Sequence, residues 1–210
     1  TQYLTVKKLG DYKRLGTTID DALGEAFDKT AKLLNLGYPG GPKIEELAKN
    51  GDENRFVLPK PILNRGGCNL SFAGLKTAIL RVKEFIKTDK DKNDLAASFQ
   101  KTVLDILYKK TKKAIEQHLE LYPKNRTLVV AGGVAANNQI RITLKRLCQE
   151  ENFKVYFPDL KLCTDNAAMI ALAGLERYKK KKFDKHNFEV NPRWQLDSKA
   201  KFLKGAGVKI

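Results

Sequence analysis

Residues 128–137 read LVVAGGVAAN: an apolar strand runs into a double glycine and then into Asn137, which starts an amphipathic helix. Glycine has no Cβ, so a ligand can lie against this backbone, and the helix start offers unpaired N–H groups to an anion. Two interpretations are open. The segment is a phosphate- or nucleotide-binding loop, or it is a tight βα turn that needs glycine only for a positive φ.

A second unit of the same kind follows along the chain. Lys154–Phe157 is predicted as a strand, Pro158–Cys163 as a loop, and Thr164–Asn166 as the polar cap of a helix. Two successive strand-loop-helix units predict a pair of parallel strands, with the loops that follow both strands at the same edge of the sheet. Open α/β sheets bind ligands at this edge. We therefore expect Asn137 and Asp165 to face one crevice. An alternative for Asp165 is a carboxylate that only satisfies amides at the helix start.

The composition limits the class of protein. The chain has 210 residues, of which 42% are hydrophobic and 30% charged, as expected for one or two folded domains. It shows no apolar run long enough for a membrane span and no signal-peptide pattern at its start, so we expect a cytoplasmic protein without a membrane partner. The cysteines, Cys68, Cys148 and Cys163, are widely spaced and are expected to be reduced and buried. The histidines, His118 and His186, form no metal-ligand pattern.

The charge balance favours an acidic partner. Forty Lys and Arg residues against 24 Asp and Glu residues give a net charge of +16, which attracts polyanions such as nucleic acid. A general bias toward lysine is the alternative explanation. The densest basic run, Arg177–Lys182, ends the last predicted helix, where cations also interact favourably with the helix dipole. RNA contact and helix-end pairing therefore both remain open for this run.

The rest of the chain alternates helical patterns with turns. The predicted elements are a hairpin of strands Tyr3–Val6 and Tyr12–Leu15, a helix from Thr18 to Leu36, a short helix from Pro42 to Lys49, a helix with Ser71 as its N-cap, an exposed turn from Lys87 to Asp94, a helix from Leu95 to Leu121, and a strand from Thr127 to Ala131. Residues 51–70 are predicted to be irregular because they are rich in Pro, Gly and Asn.

An acidic stripe lies along the first predicted helix. Asp21, Glu25 and Asp28 stack at helical spacing. This stripe is a solvated face, neutralised by Lys29 and Lys32, or it includes carboxylates that accept hydrogen bonds from ribose hydroxyls.

Four segments together resemble one family. They are GEAFDKTAK at 24–32, YPGGP at 38–42, GGVAAN at 132–137 and CTDNAAMIA at 163–171. In this order, from residue 1 to about 180, the chain resembles the TsaD/Gcp (Kae/Qri-type) enzymes, tRNA N6-adenosine threonylcarbamoyltransferases. One departure lies in SFAGLKT at 71–77, where the family usually has Ser in place of Ala73, which puts a local hydroxyl contact in doubt.

The resemblance implies an α/β fold of the actin-like ATPase (ribonuclease H-like) type. Residues 1–182 are expected to form mainly the second of the two family domains, with a helical insertion at about 38–93. Residues 183–210 then form a basic C-terminal tail. The family's N-terminal domain, with its two metal-binding histidines and its Ser-Gly-Gly-His loop, is expected to precede Thr1.

The resemblance also implies an activity. The family transfers the threonylcarbamoyl group from threonylcarbamoyl-AMP to N6 of adenosine 37 in tRNAs that read ANN codons. Asp28, Gly41 and Asn137 match nucleotide-binding positions, and Glu45, one turn beyond Gly41, is a further candidate for that contact set. Asp165 matches the carboxylate ligand of one divalent metal per subunit, Fe2+ or alternatively Zn2+. A threonylcarbamoyl-AMP or ATP-like nucleotide is the expected ligand.

Partners and alternatives follow from the same resemblance. The expected partners are tRNA, a paralogous non-catalytic subunit and a small ATPase, in the bacterial cytoplasm or an organelle. The chain is expected to be incomplete for catalysis by itself, so a non-catalytic nucleotide- or tRNA-binding module or scaffold is the main alternative. A metallo-endopeptidase, an older label of the family, is disfavoured because only one candidate ligand and no zincin motif occur.

Overall fold

The computed structural model describes residues 1–187, 190 and 194–201. The predicted tail segment Asn191–Arg193 lies outside these residues. The described part is a mixture of helices and strands. Its elements are β1 (Gln2–Lys8), β2 (Asp11–Thr17), α1 (Leu23–Leu33), α2 (Gly40–Ala48), α3 (Ala73–Lys83), α4 (Asp89–Leu121), β3 (Thr127–Val129), α5 (Asn138–Glu150), β4 (Lys154–Tyr156) and α6 (Ala167–Lys179).

The two strand pairs match the predicted pairings. β1 and β2 form an antiparallel hairpin, in register from Gln2 opposite Thr17 to Lys8 opposite Asp11. Gly10, in the turn, has a φ of +81°, a conformation that glycine adopts without a steric penalty. β3 and β4 are parallel, and α5 is the crossover between them. Both the hairpin and the parallel pair are therefore confirmed.

Helix α4 is the centre of the core. It has 33 residues, and its apolar face is buried from Leu95 to Ile115. The Phe99 ring meets the Phe27 ring of α1 edge to face, with centroids 5.1 Å apart. Both rings are almost completely buried, so this contact fixes the helix that carries Asp28. Despite the length of α4, no helix within the described ranges is apolar enough along its length to cross a bilayer.

The first helix begins later than predicted, at Leu23 rather than Thr18. The Ile19 N–H donates to the Leu70 carbonyl at 2.9 Å, and Thr18 forms an isolated bridge with Leu70. Residues ahead of α1 are therefore paired across the fold and cannot complete a helical turn. The helix ends at Leu33, just ahead of Asn35, whose φ is positive.

The predicted N-cap at Ser71 is wrong. The N–H groups of Phe72 and Ala73 donate to Asp20 Oδ1, at 2.7 and 3.2 Å, and the Ser71 hydroxyl donates to Asp20 Oδ2. The capping carboxylate of α3 thus comes from the loop ahead of α1. A pattern confined to neighbouring residues does not reveal a cap that is distant in sequence.

The segment Lys87–Asp94 is not the exposed turn that its charges predicted. Thr88 is the N-cap of α4, and it exchanges hydrogen bonds with Asp91 in a capping box. Asp91 and Asp94 are only 7% and 2% exposed. Both carboxylates pair with Arg55, at 2.5 and 2.8 Å, so the irregular segment 51–70 is held against α4.

We predict that Asp94 makes the stability of the fold dependent on pH. The Asp52 N–H, and then the Arg55 guanidinium, hold the pKa of Asp94 below its ordinary value. Since the unfolded value is about 3.9, the charged carboxylate stabilises the fold above that pH, and the contribution is lost as the pH falls through the lower folded pKa. Asp94→Asn should lower the urea midpoint between about pH 5 and 7, and the difference should shrink progressively as the pH falls below about 4.

The control for Asp94 is Asp89→Asn, which removes an exposed carboxylate from the same helix start. Asp89 is itself exposed, and among the described residues its carboxylate pairs only with Lys92, so its replacement should change the midpoint little. If Asp94→Asn lowered the urea midpoint by the same amount at acid and at neutral pH, a stabilising role for the charge would be contradicted.

A groove separates the two sheets. It consists of two adjoining cavities of about 320 and 260 Å³. Thr1–Tyr3 and Val129–Ala131 line the first cavity, while Tyr3–Val6 and Thr127–Val129 line the second. The start of β1 therefore lies opposite the end of β3. Thr111 of α4 contributes to both cavities, so this helix also borders the groove.

Candidate functional site

The loops that follow β3 and β4 lie at one edge of the parallel pair, as predicted. Arg141 of α5 connects them, because its Nε donates to the Ala135 carbonyl at 2.5 Å and its Nη2 to the Pro158 carbonyl at 2.9 Å. A Cβ placed on Gly133 would lie 3.9 Å from the Cys163 carbonyl oxygen. The double-glycine loop and the loop that leads to Asp165 are therefore in contact.

The double glycine meets the requirement of a tight turn and also leaves room for a ligand. Gly132 has a φ of +93°, where other residues are strained. A Cβ at this position would meet no atom within 4 Å. The positive φ of the turn is thus enough to explain why residue 132 is a glycine. The open space beside it is compatible with a bound ligand as well.

Asn137 is held firmly at the start of α5. Its Oδ1 accepts the Ile140 N–H at 3.0 Å, which makes it the N-cap of the helix. Its Nδ2 donates to Gln100 Oε1 of α4 at 3.3 Å, and the residue is only 8% exposed. The sequence predicted the cap but not Gln100, which is a polar residue on the buried face of a long helix. One amide hydrogen of Asn137 remains for a ligand.

Asp28 of α1 contacts the start of α2 in the same region. Its Oδ1 accepts the Gly40 N–H at 2.8 Å, and Oδ2 has no hydrogen-bond partner among the described residues. A Cβ on Gly40 would stand 2.7 Å from Asp28 Cα, so α1 and α2 touch through this glycine. At the next residue, Gly41, an added Cβ would meet nothing within 4 Å. Asp28 therefore has a free oxygen beside an open stretch of backbone.

Glu45 connects α2 with α5. Its Oε1 accepts the Asn138 N–H at 2.8 Å. A carboxylate is favourable there because the first N–H groups of a helix lack helical partners and carry partial positive charge. The contacts of Asp28 with Gly40 and of Glu45 with Asn138 bring all four predicted nucleotide positions, Asp28, Gly41, Glu45 and Asn137, into one neighbourhood.

The solvated-face interpretation of the acidic stripe required a lysine that neutralises its carboxylates, and Lys29 is such a lysine. Lys29 Nζ lies 2.7 Å from Asp21 and 2.8 Å from Glu25. Asp28 is not part of this ion-pair network. The solvated-face interpretation thus accounts for Glu25. Asp21 is also paired with Lys29, but it is buried and lies ahead of α1. Asp28 remains a candidate for ligand binding.

Asp165 is exposed in the loop ahead of α6. The N-cap of that helix is Asn166, whose Oδ1 accepts the Met169 N–H at 2.9 Å. The Asp165 carboxylate forms no hydrogen bond or ion pair with another described residue. The helix is therefore capped by Asn166 and not by Asp165. Within the described ranges, no three His, Cys, Asp or Glu side chains are grouped as a metal site requires.

The cysteines match the prediction of buried, free thiols. Burial raises the pKa of Cys148 to about 11 and also raises that of Cys68. Neither thiol is therefore suited to nucleophilic chemistry at neutral pH. His118 lies at the end of α4, where its ring nitrogens contact Thr5 and Asn125.

Comparisons with known proteins give the same family that the four sequence segments resemble. Residues 1–172 match the family model described as TsaD, tRNA N6-adenosine threonylcarbamoyltransferase. A protein of that name from Pelagibacter ubique is 60% identical over 211 residues, which cover 100% of this chain and 59% of that protein.

Similar proteins of the same name occur in other bacteria. The one from Roseobacter denitrificans is 49% identical over 214 residues, covering 99% of this chain and 59% of its own length. The one from Rickettsia rickettsii (strain Iowa) is 48% identical over 200 residues, covering 93% of this chain and 58% of its own length. The chain thus spans a little under three fifths of the curated relatives that it matches.

Proposed function

Because the chain belongs to the TsaD family of tRNA N6-adenosine threonylcarbamoyltransferases, we propose that it contributes the nucleotide-binding part of such an enzyme. The activity is proposed for a polypeptide that also contains the region which the resemblance places ahead of Thr1. The parallel β3-α5-β4 unit and the β1–β2 hairpin support the proposal that the chain has the actin-like fold, mainly that of its second domain.

The proposed reaction is an acyl transfer. N6 of adenosine 37 attacks the carbamoyl carbon of threonylcarbamoyl-AMP, an N–C bond forms, the C–O bond to the phosphate breaks, and AMP leaves while N6 loses a proton. An exocyclic amine is a weak nucleophile. The reaction therefore depends on an activated donor and on the exact positioning of the two substrates.

The single observation that carries the proposal is the cluster of Asp28, Gly41, Glu45 and Asn137. Asp28 Oδ1 is fixed by the Gly40 N–H, so Oδ2 is positioned to accept a hydrogen bond from a ribose hydroxyl. Open space at Gly41 allows a nucleotide to lie against the backbone. The Glu45 contact with Asn138 sets the distance between α2 and the double-glycine loop. These residues bind and orient the donor.

The divalent metal of the family fits this chain only in part. An exposed carboxylate such as that of Asp165 is a suitable ligand for Fe2+ or Zn2+. Other ligands would have to come from outside the described residues, because no group of three suitable side chains occurs within them. When bound, such a metal would supply Lewis acidity to the carbonyl oxygen.

Several proposed partners rest on the resemblance. The net charge of +16 supports tRNA as the substrate. A paralogous non-catalytic subunit, a small ATPase and a cytoplasmic or organellar location are proposed from the family alone.

A transfer assay tests the proposed function. The chain, alone and joined to the family's N-terminal domain, is incubated with unmodified ANN-reading tRNA, threonylcarbamoyl-AMP and the companion proteins, and modified adenosine is measured by nucleoside mass spectrometry. We expect product only with both regions present. Nucleotide binding without any product under either condition would instead favour a non-catalytic binding module.

We predict that two replacements of Asn137 separate its roles in the fold and in the ligand site. Asn137→Ala removes the N-cap, so it should lower stability by about 1 kcal/mol. It should also weaken AMP binding by about 1–3 kcal/mol, because a polar partner is left unsatisfied. Asn137→Ser retains a capping oxygen and should keep most of the stability, but it should bind AMP as weakly as the alanine variant. Urea denaturation and calorimetric titration measure the two effects.

The outcome that would contradict this role for Asn137 is specific. If Asn137→Ser binds AMP as tightly as the unaltered chain, the side-chain amide does not contact the nucleotide. Asn137 would then serve only as the cap of α5.

A further inference from the structure

The end of the basic run Arg177–Lys182 lies against the tip of the β1–β2 hairpin. Lys182 Nζ is 3.1 Å from the position that a Cβ on Gly10 would occupy. Lys182 and the hairpin tip, which come from opposite ends of the described chain, thus lie next to each other. We call the lysines of the two segments the basic face, which consists of Lys7, Lys8, Lys13, Lys180, Lys181 and Lys182.

The end of α6 has a defined geometry that directs the run toward the hairpin. Lys181 has a φ of +51°, its N–H donates to the Tyr178 carbonyl at 2.8 Å, and the Lys182 N–H donates to the Arg177 carbonyl at 3.0 Å. This pair of bonds with a left-handed residue is a Schellman motif, which ends a helix and turns the chain sharply. The backbone of the basic run is therefore fixed.

Helix-end pairing explains only part of the run. Arg177 pairs with Asp184 at 2.7 Å, and Lys179 pairs with Glu176 at 3.0 Å. The six lysines of the basic face are exposed, and none forms an ion pair within the described part of the chain. Positive charges that lie close together repel each other and destabilise the fold, unless an acidic ligand neutralises them. The basic face is thus a concentration of unneutralised charge.

Exposed aromatic rings adjoin the basic face. Tyr178 and Phe183 are 67% and 69% exposed, and their rings meet edge to face with centroids 5.9 Å apart. Residues 195–197 return to the hairpin, where Arg14 N–H donates to Asp197 Oδ2 at 2.8 Å. Trp194, just ahead of this contact, is 77% exposed. Unpaired RNA bases stack on such rings while lysines bind the phosphates.

We infer that the basic face and the neighbouring aromatic rings form a docking surface for RNA with unpaired bases, such as a tRNA loop. The inference rests on the proposed function, which supplies a tRNA substrate. Charge alone would also suit an acidic membrane or an acidic protein, but exposed rings among lysines favour a ligand that has both phosphates and flat bases. The phosphate contacts position the RNA and do not select its sequence.

Three variants with equal charge changes test the surface. Lys7, Lys8 and Lys13 are replaced by Ala in the first, and Lys180, Lys181 and Lys182 in the second. The control replaces the exposed Lys83, Lys87 and Lys90, on α3 and near the start of α4, so it also lowers the net charge by three. The affinity of the chain for a fluorescent, unmodified tRNA is measured by anisotropy over a range of salt concentrations.

We expect the two variants of the basic face to bind tRNA more weakly and to reduce the slope of log affinity against log salt by about 2 to 3 each. The control should reduce it by less than about 1. Lys→Arg versions of the same triples should retain the affinity, which separates lost charge from lost folding. Equal effects of all three alanine triples would overturn the inference, because only the net charge would then matter. The inference would also be overturned if the two basic-face variants lost as much affinity for anionic vesicles without RNA as they lose for tRNA.

The inference and the proposed function can fail separately. If no transfer occurs but the basic-face variants still lose tRNA affinity, the docking surface stands and the proposed activity falls. If transfer occurs and both variants bind tRNA as the control does, the activity stands and the docking surface falls.

Discussion

Gly40→Ala is expected to destabilise the fold by about 3 kcal/mol and to abolish nucleotide binding. The added Cβ would lie 2.7 Å from Asp28 Cα and from Ala31 Cβ, and 2.8 Å from the Phe27 carbonyl oxygen. Two of these atoms belong to the backbone of α1, which Phe27 fixes against α4, so α2 has to move away. That movement would break the hydrogen bond from Gly40 to Asp28. Urea denaturation and calorimetric titration with AMP measure both effects.

Gly41→Ala is the matched control for Gly40→Ala. No atom lies within 4 Å of the added Cβ, so stability should change by less than about 0.5 kcal/mol. AMP should nevertheless bind about tenfold more weakly if the ligand lies against this backbone. A large loss of stability in Gly41→Ala, or undiminished AMP affinity in both variants, would contradict the proposed site.

Asp165→Ala is expected to reduce the transfer rate by about 100-fold or more, because it removes a proposed metal ligand. The carboxylate is exposed and forms no hydrogen bond or ion pair with another described residue, so the melting temperature should stay the same. The enzyme with both regions is needed for the rate measurement. Metal bound after dialysis, measured by elemental mass spectrometry, should fall in parallel and provides a readout that does not depend on turnover.

Asp159→Ala is the control for Asp165→Ala. Asp159 is exposed in the same loop, and its replacement removes the same charge. It should change neither metal content nor rate. If Asp165→Ala retains both, the residue is not a metal ligand, and the loop after β4 has another role.

The sequence was most informative where neighbouring residues determine the structure. The turn at Gly10 and the cap at Asn137 depend on residues within a few positions of each other. The crossover helix joins two strands that follow each other along the chain. The arrangement of the site was partly predictable for the same reason, since parallel strands bring their loops to one edge.

Other features depend on contacts between distant segments. Asp20 caps a helix that begins far along the chain, and Arg55 neutralises two carboxylates that looked exposed. The Glu45 bond to the Asn138 N–H and the support of Asn137 by Gln100 are also long-range. A periodicity shows that a helix has a buried face, but it does not show which distant polar group lies against that face.

The groove between β1 and β3 is a place where the hairpin and the β3-α5-β4 unit could be joined. Its two edges run in opposite senses, because the start of β1 lies opposite the end of β3. One extended segment placed between them would pair in parallel with one edge and antiparallel with the other, and would join both pairs into a continuous five-stranded sheet. The hairpin and the β3-α5-β4 unit would then unfold together rather than separately. A segment bound in that space would therefore raise the cooperativity of unfolding.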